Sequence, residues 1–426
     1  MEVSPFRGIS YNQRIAGDLV QVICPPYDII TPEQQKLYYQ ESSYNAIRLE
    51  FPAESQETTV DHYQRAATTF QQWLKQEILQ LDSVASFYLH DHRFEYSGER
   101  KTRRGLIARV KLEPWGTGIY PHEETFPKAK GDRLQLMRAC QATFSPLLAL
   151  YHDSHQKIAP VLSRITQENP LRALHTKRSN LPDSNEAHTL WAITEPEIKQ
   201  ELIHSLSSQP LYIADGHHRY ETALTYQQER AKDQPVTGKE AFNYVMLELV
   251  DFSDPGLVIL PLHRLVRGIL PSILGELENR LKNFFVLESA PLKDDNCQIP
   301  TDSCLGILGL QSGSLILLRK RRDISLDAMM PGNRSRAYRE FDVSILNHII
   351  VEKIMDLTLK DNIAYTVDVK EAHQQIKDGE YQLAFVLNPP QPVMVGAIAD
   401  AKDRMPAKST YFYPKLPAGL IINPLD

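Results

Sequence analysis

The sequence is short of the features that would staple it, anchor it or charge it strongly. It has four cysteines, Cys24, Cys140, Cys297 and Cys304, and no two are spaced as a C-x-x-C pair. That excludes a disulfide framework and the common zinc-ligand spacings, and free thiols in a reducing cytosol are expected. No apolar stretch reaches the roughly 18 residues of a transmembrane helix. The opening MEVSPFRGIS has no cationic region followed by an apolar run. No signal peptide is therefore expected, and the expected compartment is the cytoplasm. The formal net charge of -6 supplies neither a basic footprint for nucleic acid nor a polybasic membrane patch. Two local basic runs, Arg100–Arg104 and Arg319–Arg322, read as solvated turns. There is no internal repeat and no low-complexity tract.

What is present is a chain of 426 residues, enough for two or three domains at about 100–200 residues each. An N-terminal α/β domain is expected over 1–250. A second α/β region is expected over 251–400, and a C-terminal tail over 401–426. The tail carries the aromatic-rich run Lys408–Lys415, so it is expected to pack back on the core.

Val22–Asp28 reads as a short apolar strand that stops at Pro25-Pro26. Thr31-Pro32 opens a helix, with Thr31 as the N-cap. Residues 57–80 read as an amphipathic helix with Tyr63, Ala66, Ala67, Phe70, Trp73 and Leu74 on one side. Ser86–Tyr96 and Leu106–Leu112 read as strands around a polar turn at Ser97-Gly98-Glu99. Helices and strands then alternate to about residue 250. The expected fold class is α+β, built in mixed α/β layers. His90 and His92 alternate onto one face of their strand, and a solvated face is expected there, not a metal site.

The chemistry concentrates around residue 215. Leu211–Ala214 is an apolar strand, Asp215-Gly216 is a turn, and Tyr220–Arg230 has a helical pattern. A strand, a tight loop and a helix in that order aim backbone N–H groups and the helix dipole at one spot, which suits an anion. Gly216 allows close backbone approach to a ligand. Arg219 adds a planar fork for phosphate or carboxylate oxygens and is expected at the mouth of the loop, outside the core. His217 and His218 can donate hydrogen bonds or carry a proton. Adjacent residues on a helix diverge by about 100°, so the two are a poor metal pair. The competing reading is that Asp215 caps the helix and the histidines are surface residues.

Three other segments are candidates. Pro121-His122-Glu123-Glu124-Thr125, followed by Lys128, Lys130, Asp132 and Arg133, mixes a histidine, carboxylates and cations. Such a mix can serve acid–base work or hold magnesium beside a phosphate. Tyr27 and Asp28 with Asn45, Arg48 and Glu50 form a possible substrate set. Lys408, Ser409 and Thr410 form a possible phosphate set. In each case an ordinary polar loop is the alternative.

The stretches PFRG, PPYDIIT, YNAIRLE, PHEETF, YIADGHHRYETAL, LPLHRLV and MPAKSTYFYPKLPAGL occur in this order. Together they resemble the bacterial and archaeal domain-of-unknown-function family 1015 over essentially the whole chain. The family name assigns no activity. The run Gly216–Ala223 also resembles, more distantly, the G-x-x-R-x-x-x-A box of the ParB/sulfiredoxin superfamily. That superfamily includes partition-protein nucleotide hydrolases, sulfiredoxin and free-serine kinases.

The second resemblance implies a ParB/sulfiredoxin-like core elaborated with the second α/β region and the docked tail. It implies a nucleotide or phosphorylated small molecule held by Gly216, Arg219 and Tyr220, with magnesium and ATP or ADP as cofactors. Sulfiredoxin needs a cysteine two residues before the arginine. His217 stands there, so redox chemistry is not expected. No basic helix-turn-helix module is present, so DNA binding is not expected. The activity implied is a small-metabolite phosphotransferase or phosphohydrolase acting on free serine or phosphoserine. His218 or His217 would be the donor, and Glu123 or Asp215 the base. A non-catalytic nucleotide- or metabolite-binding regulator is the alternative.

Overall fold

A computed structural model describes residues 1–54, 61–123, 127–176, 185–233, 237–292, 299–300, 302–357 and 362–426. The chain divides into two compact units. The first comprises Met1–Pro121, Thr125–Val258 and Pro414–Asp426, and the second His122–Glu124 and Ile259–Tyr413. Mixed sheets with helices in both units make the fold α+β.

The first unit is built on nine strands. In chain order they are β1 (Val3–Ser4), β2 (Phe87–Tyr96), β3 (Glu99–Lys111), β4 (Ile119–Pro121), β5 (Leu147–Tyr151), β6 (Arg172–His175), β7 (Ala187–Ile193), β8 (Leu211–Asp215) and β9 (Tyr244–Asp251). The order across the sheet is β4-β8-β5-β9-β3-β2-β7-β6, with β1 on β3. The hairpin β2–β3 closes over Ser97 and Gly98, both at positive φ. This is the turn that the polar triplet predicts.

Period-two alternation gives the sheet two apolar faces. Phe87 and Leu89 share one face with Leu106, Ala108, Leu147 and Leu247, beneath helices at Ile158–Ile165, Pro196–Ser207 and His217–Asp233. Tyr88 joins Ile107, Leu190 and Met246 on the other face. There they pack with Phe70 and Trp73 of the helix His62–Lys75 and with Leu420, Ile421 and Ile422 of the chain's end. Leu420, Ile421 and Ile422 near the chain's end are therefore part of this core. Thr31 caps the helix Pro32–Glu41 with a full capping box.

Three expectations are corrected. Val22–Asp28 is not a strand: a short 3-10 turn ends at Val22, and only Cys24 bridges, to Ala418. The basic run Arg100–Arg104 is not a turn but lies within β3. There Arg103 is 0% exposed, and Arg104 makes a two-pronged pair with Asp91 at 2.7 and 2.8 Å. His90 and His92 are not solvated. Both are fully buried, and burial followed by the neighbouring His188, Arg103 and His90 pushes His92 well below its usual pKa. Partners distant in sequence and brought alongside by the sheet cause the last two outcomes.

The second unit has its own six-stranded sheet. Its strands are β10 (His263–Val266), β11 (Phe285–Pro291), β12 (Leu305–Leu308), β13 (Ser314–Lys320), β14 (Ile363–Thr366) and β15 (Leu383–Leu387). They run in the order β11-β13-β12-β15-β10-β14. The core of this unit includes Leu265, Leu308, Leu315, Leu317, Ala384 and Val386. Among the described residues no helix is long and apolar enough to cross a membrane.

Candidate functional site

Strand β8 ends at Asp215, and the helix His217–Asp233 begins one residue after Gly216. Gly216 has φ +90, and a Cβ there would sit 2.7 Å from Leu147 Cγ and 3.0 Å from an Arg219 nitrogen. Both the backbone angle and the crowding call for glycine. The turn folds Arg219 back over the strand end, where its guanidinium pairs with Asp215 Oδ2 at 3.0 Å. The same side chain donates to Ser145 Oγ at 2.9 Å and to the Pro146 carbonyl at 3.2 Å. Lys415 takes the other oxygen of Asp215.

Burial pushes the Asp215 carboxyl upward, but Lys415 and Arg219 pull it down to about 2. It is therefore ionised over the whole physiological range. Desolvation opposes the Arg219 charge, and Asp215, Asp28, Glu50 and Tyr27 together outweigh it, so its pKa is raised. The expectation that Arg219 stands exposed at the loop mouth is corrected: its side chain is 12% exposed and braces three groups. The acceptors on β8 and beside β5 are visible only once those strands are paired.

Behind Arg219 lies a polar chain. Ser145 Oγ donates to Glu50 Oε1 at 3.1 Å, and Arg133 donates to the Glu50 carbonyl at 2.6 Å. Arg133 also sits over the Tyr27 ring, 4.0 Å from its centroid. Burial, with the nearby Asp28 charge, pushes the Tyr27 hydroxyl up to about 12. Asp28 itself is exposed and within electrostatic range of Arg219. Glu50, Arg133, Ser145, Arg219 and Thr222 line a small cavity of about 40 Å³.

The remaining sequence candidates divide. His217 is buried, His218 is half-buried, and the His218 carbonyl accepts from Thr222. Tyr220 is fully buried, stacks on Trp115, and spends its hydroxyl on the Glu113 backbone. Asn45 is buried too: its amide donates to the Gln21 and Ile23 carbonyls and its oxygen accepts from Ile47 N–H. Arg48 donates to the Tyr39 carbonyl and lies over the Tyr39 ring.

In the second unit, His122 is fully buried and bonds Thr410 Oγ1 at 2.8 Å. Glu123 accepts from the Lys408 N–H at 2.7 Å and from the Thr410 hydroxyl at 3.4 Å. Ser409 is buried and donates to the Pro406 carbonyl, whereas Lys408 is exposed with φ +61. Arg264, buried beside them, reaches the Lys408 carbonyl at 3.4 Å, and burial lowers its pKa to about 10. The candidates thus fall into two groups, one in each unit. Glu124 and Thr125 lie outside the described residues, as do the side chains of Lys128 and Lys130.

Sequence reasoning missed Lys415 and Ser145. Lys415 lies 200 residues from its partner Asp215, and no local pattern marks it. A larger cavity of about 480 Å³ in the first unit is lined by Arg104, Tyr151, Asp153, Asp251 and Asp254 among others. Burial lifts Asp254 to about 6. Its oxygens accept from the Gly256 and Arg104 backbone N–H groups, which makes it a turn-forming residue.

Comparison with known proteins adds a family. The model of a family described as "Protein of unknown function (DUF1015)" matches residues 3–344. No curated protein matches the sequence. Among solved structures, a free serine kinase in complex with AMP is 11% identical. That alignment covers 72% of this chain and 86% of that one, with a TM-score of 0.35. A conserved hypothetical protein from Pyrococcus furiosus is 11% identical over 73% and 93% of the two chains, with a TM-score of 0.34. SbnI from Staphylococcus aureus, truncated at its C-terminus, is 10% identical over 72% and 84%, with a TM-score of 0.35.

Proposed function

The chain belongs to the family described as "Protein of unknown function (DUF1015)", and from its own geometry we propose that it binds the phosphate of a nucleotide or small metabolite at the turn Asp215–Arg219 and transfers or hydrolyses a phosphoryl group there. The observation that carries the reading is the charge built into this turn. Two cations, Arg219 and Lys415, converge on one carboxylate at the mouth of a helix N-terminus. Asp215 offsets one of the two cations, Asp28 and Glu50 lie within electrostatic range of Arg219, and the first N–H groups of the helix add positive potential at the turn. The Nε–H of Arg219 bonds to none of the described residues, which leaves one edge of the fork for a ligand.

Phosphoryl transfer asks for positioning and charge stabilisation more than for covalent participation by the protein. Arg219 and Lys415 supply the charge. His218 or His217 supplies a donor to the transferring oxygen. Magnesium does not fit Asp215 as it stands, because both carboxylate oxygens are already bonded to cations. No step is assigned to it. The likeness of the Gly216–Ala223 box to that of free-serine kinases makes free serine and phosphoserine the first substrates to try.

One observation favours the rival reading, a non-catalytic regulator. A carboxylate bonded to two cations and titrating at about 2 is a poor general base. Turnover separates the readings. The purified chain is incubated with ATP and serine, and separately with phosphoserine, and O-phosphoserine, ADP and phosphate are quantified. Product that is lost in Lys415→Ala and Arg219→Ala supports the proposal. Calorimetric binding of ADP without turnover of any kind supports the regulator. Absence of both binding and turnover overturns the site.

A further inference from the structure

We propose that His90, His92 and His188 form a binding site for a divalent transition-metal ion of the zinc class, buried within the sheet of the first unit and separate from the Asp215–Arg219 turn. His90 and His92 lie two apart on β2, so they share a face. His188 on β7 is directly paired with His92. One nitrogen from each ring lies within 4.8 Å of those from the other two. His90 Nε2 and His188 Nδ1 are already 3.1 Å apart. That is close to the separation of two ligands on a tetrahedral ion with Zn–N bonds of about 2.0–2.1 Å.

The surroundings are those of a ligand set. Glu248 Oε2 is 2.8 Å from His90 Nδ1. A carboxylate oxygen accepts, so Nδ1 carries the proton and the lone pair of His90 sits on Nε2, facing His188. A carboxylate that fixes the tautomer of a ligating histidine is a recurrent outer-shell feature of metal sites. Glu186 Oε2 is 2.7 Å from His92 Nε2 and 3.8 Å from His188 Nε2. It is placed to become a fourth ligand. All three imidazoles and Glu248 are fully buried, and Glu186 nearly so. Glu248 Oε1 has no hydrogen-bond partner among the described residues. Buried charge of this kind is usually paired or coordinated to metal.

The sequence also clears the space. Glu248 on β9 reaches His90 on β2 across β3, and it passes over Gly105. A Cβ at Gly105 would lie 2.4 Å from Glu248 Cγ. Charge balances as well. Glu186 and Glu248 together neutralise a divalent ion. Arg103, 3.2 Å from His92 Nδ1, has Asp254 within electrostatic range. Arg103 donates to Nδ1 and Glu186 accepts from Nε2, so His92 ligates through Nε2 when the metal displaces the Nε2 proton and Arg103 releases Nδ1 to carry it. The competing occupant is a single proton shared among the rings.

The test uses the full chain, expressed in zinc-supplemented medium and purified without chelator. Mass-spectrometric metal analysis should find about one zinc per chain, as for a buried protein-ligand site. Cobalt(II) added to the metal-stripped protein should give visible ligand-field absorption. The double variant His90→Gln/His188→Gln should lose both signals. Should that variant fail to fold, Glu248→Gln is the second probe. It keeps the shape and should weaken cobalt affinity roughly 10–100-fold. A folded wild-type chain with negligible zinc and no cobalt spectrum overturns the proposal and leaves the shared proton. Unchanged cobalt affinity in a folded Glu248→Gln variant overturns it equally.

Discussion

The Asp215–Arg219 turn and the histidine cluster belong to the same sheet, yet they are assembled in opposite ways. The turn is local. A strand end, a glycine at φ +90 and an arginine four residues after the aspartate make most of it within five positions. The cluster is non-local. It gathers His90 and His92, Arg103, His188 and Glu248 from four strands, with Glu186 just ahead of β7. The turn is half-buried and sets two cations against a helix N-terminus, while the cluster is sealed. A half-buried charged turn can meet a ligand at modest cost to stability. A sealed polar cluster stakes the fold on every member being satisfied.

The largest effect should come from breaking the cluster. Glu248→Ala removes the carboxylate that pairs with His90 and leaves buried polar groups uncompensated. Loss of one partner from a buried pair costs about 3–5 kcal/mol. The melting temperature should fall sharply, while nucleotide binding by the remaining folded fraction is unchanged. Measured instability below about 1 kcal/mol would show the cluster to be more hydrated than the structure has it, and the contrast with the turn would dissolve.

Next comes Arg219→Ala. Seen as an exposed residue, it would cost little. Seen in place, it loses an ion pair with Asp215 and hydrogen bonds to Ser145 and Pro146. Hydrogen bonds to charged groups contribute about 1.5–3 kcal/mol, and that is the stability loss expected in a chemical denaturation curve. Phosphate affinity should fall as well, roughly ten- to hundredfold. Arg219→Lys should recover part of the affinity but little of the brace, because lysine lacks the fork. An affinity loss with no stability loss would return Arg219 to the loop mouth.

These two residues also mark how much was legible in the sequence. The strand–turn–helix at 211–233 was readable because apolar period, glycine and helical period all fall within one window. Both the hairpin at Ser97-Gly98 and the cap at Thr31 were readable for the same reason. The burial of His90, His92 and Arg103 was not. Alternation says that they share a face, but only the neighbouring strands say whether that face is wet. Glu248 sits in the apolar run Tyr244–Val250. A lone carboxylate inside such a run was the one available hint of a buried polar partner. The two-unit grouping of the candidates was illegible too, since His122 and Glu123 are drawn to Lys408 and Thr410 across nearly three hundred positions.

The turn can be probed by acid. Asp215 titrates at about 2 in the folded chain against an ordinary 3.8, because Lys415 and Arg219 outweigh burial. A depressed carboxyl stabilises the fold above its unfolded value and loses that contribution as pH falls through its folded value. The difference corresponds to about 2 kcal/mol, complete above roughly pH 4 and fading towards about pH 2. Asp215→Asn should be less stable than wild type at neutral pH and should converge with it at the acid end. The comparison is urea midpoints of both proteins across this range. A constant gap between the two curves would mean that Asp215 acts through shape and not through charge.

The smallest effect is expected at Lys408, and it bears on whether the second group of candidates has any part in ligand binding. Its side chain is exposed, while its backbone N–H donates to Glu123 Oε1 at 2.7 Å. That bond survives any substitution except proline. Lys408→Ala should therefore change stability by less than about 0.5 kcal/mol, as surface substitutions usually do. The backbone stands at φ +61, where a Cβ is disfavoured. Lys408→Gly relieves that strain but adds unfolded-state freedom, and the two effects oppose each other. Both variants should melt close to wild type, with glycine at or slightly above alanine. Binding then becomes a clean readout. If Lys408 meets a phosphate, both variants lose affinity for ADP by a similar factor and the loss shrinks at high salt, because an exposed charge is screened. If affinity is unchanged in both, phosphate recognition rests on the Asp215–Arg219 turn with Lys415, and Lys408 serves only to present its backbone to Glu123.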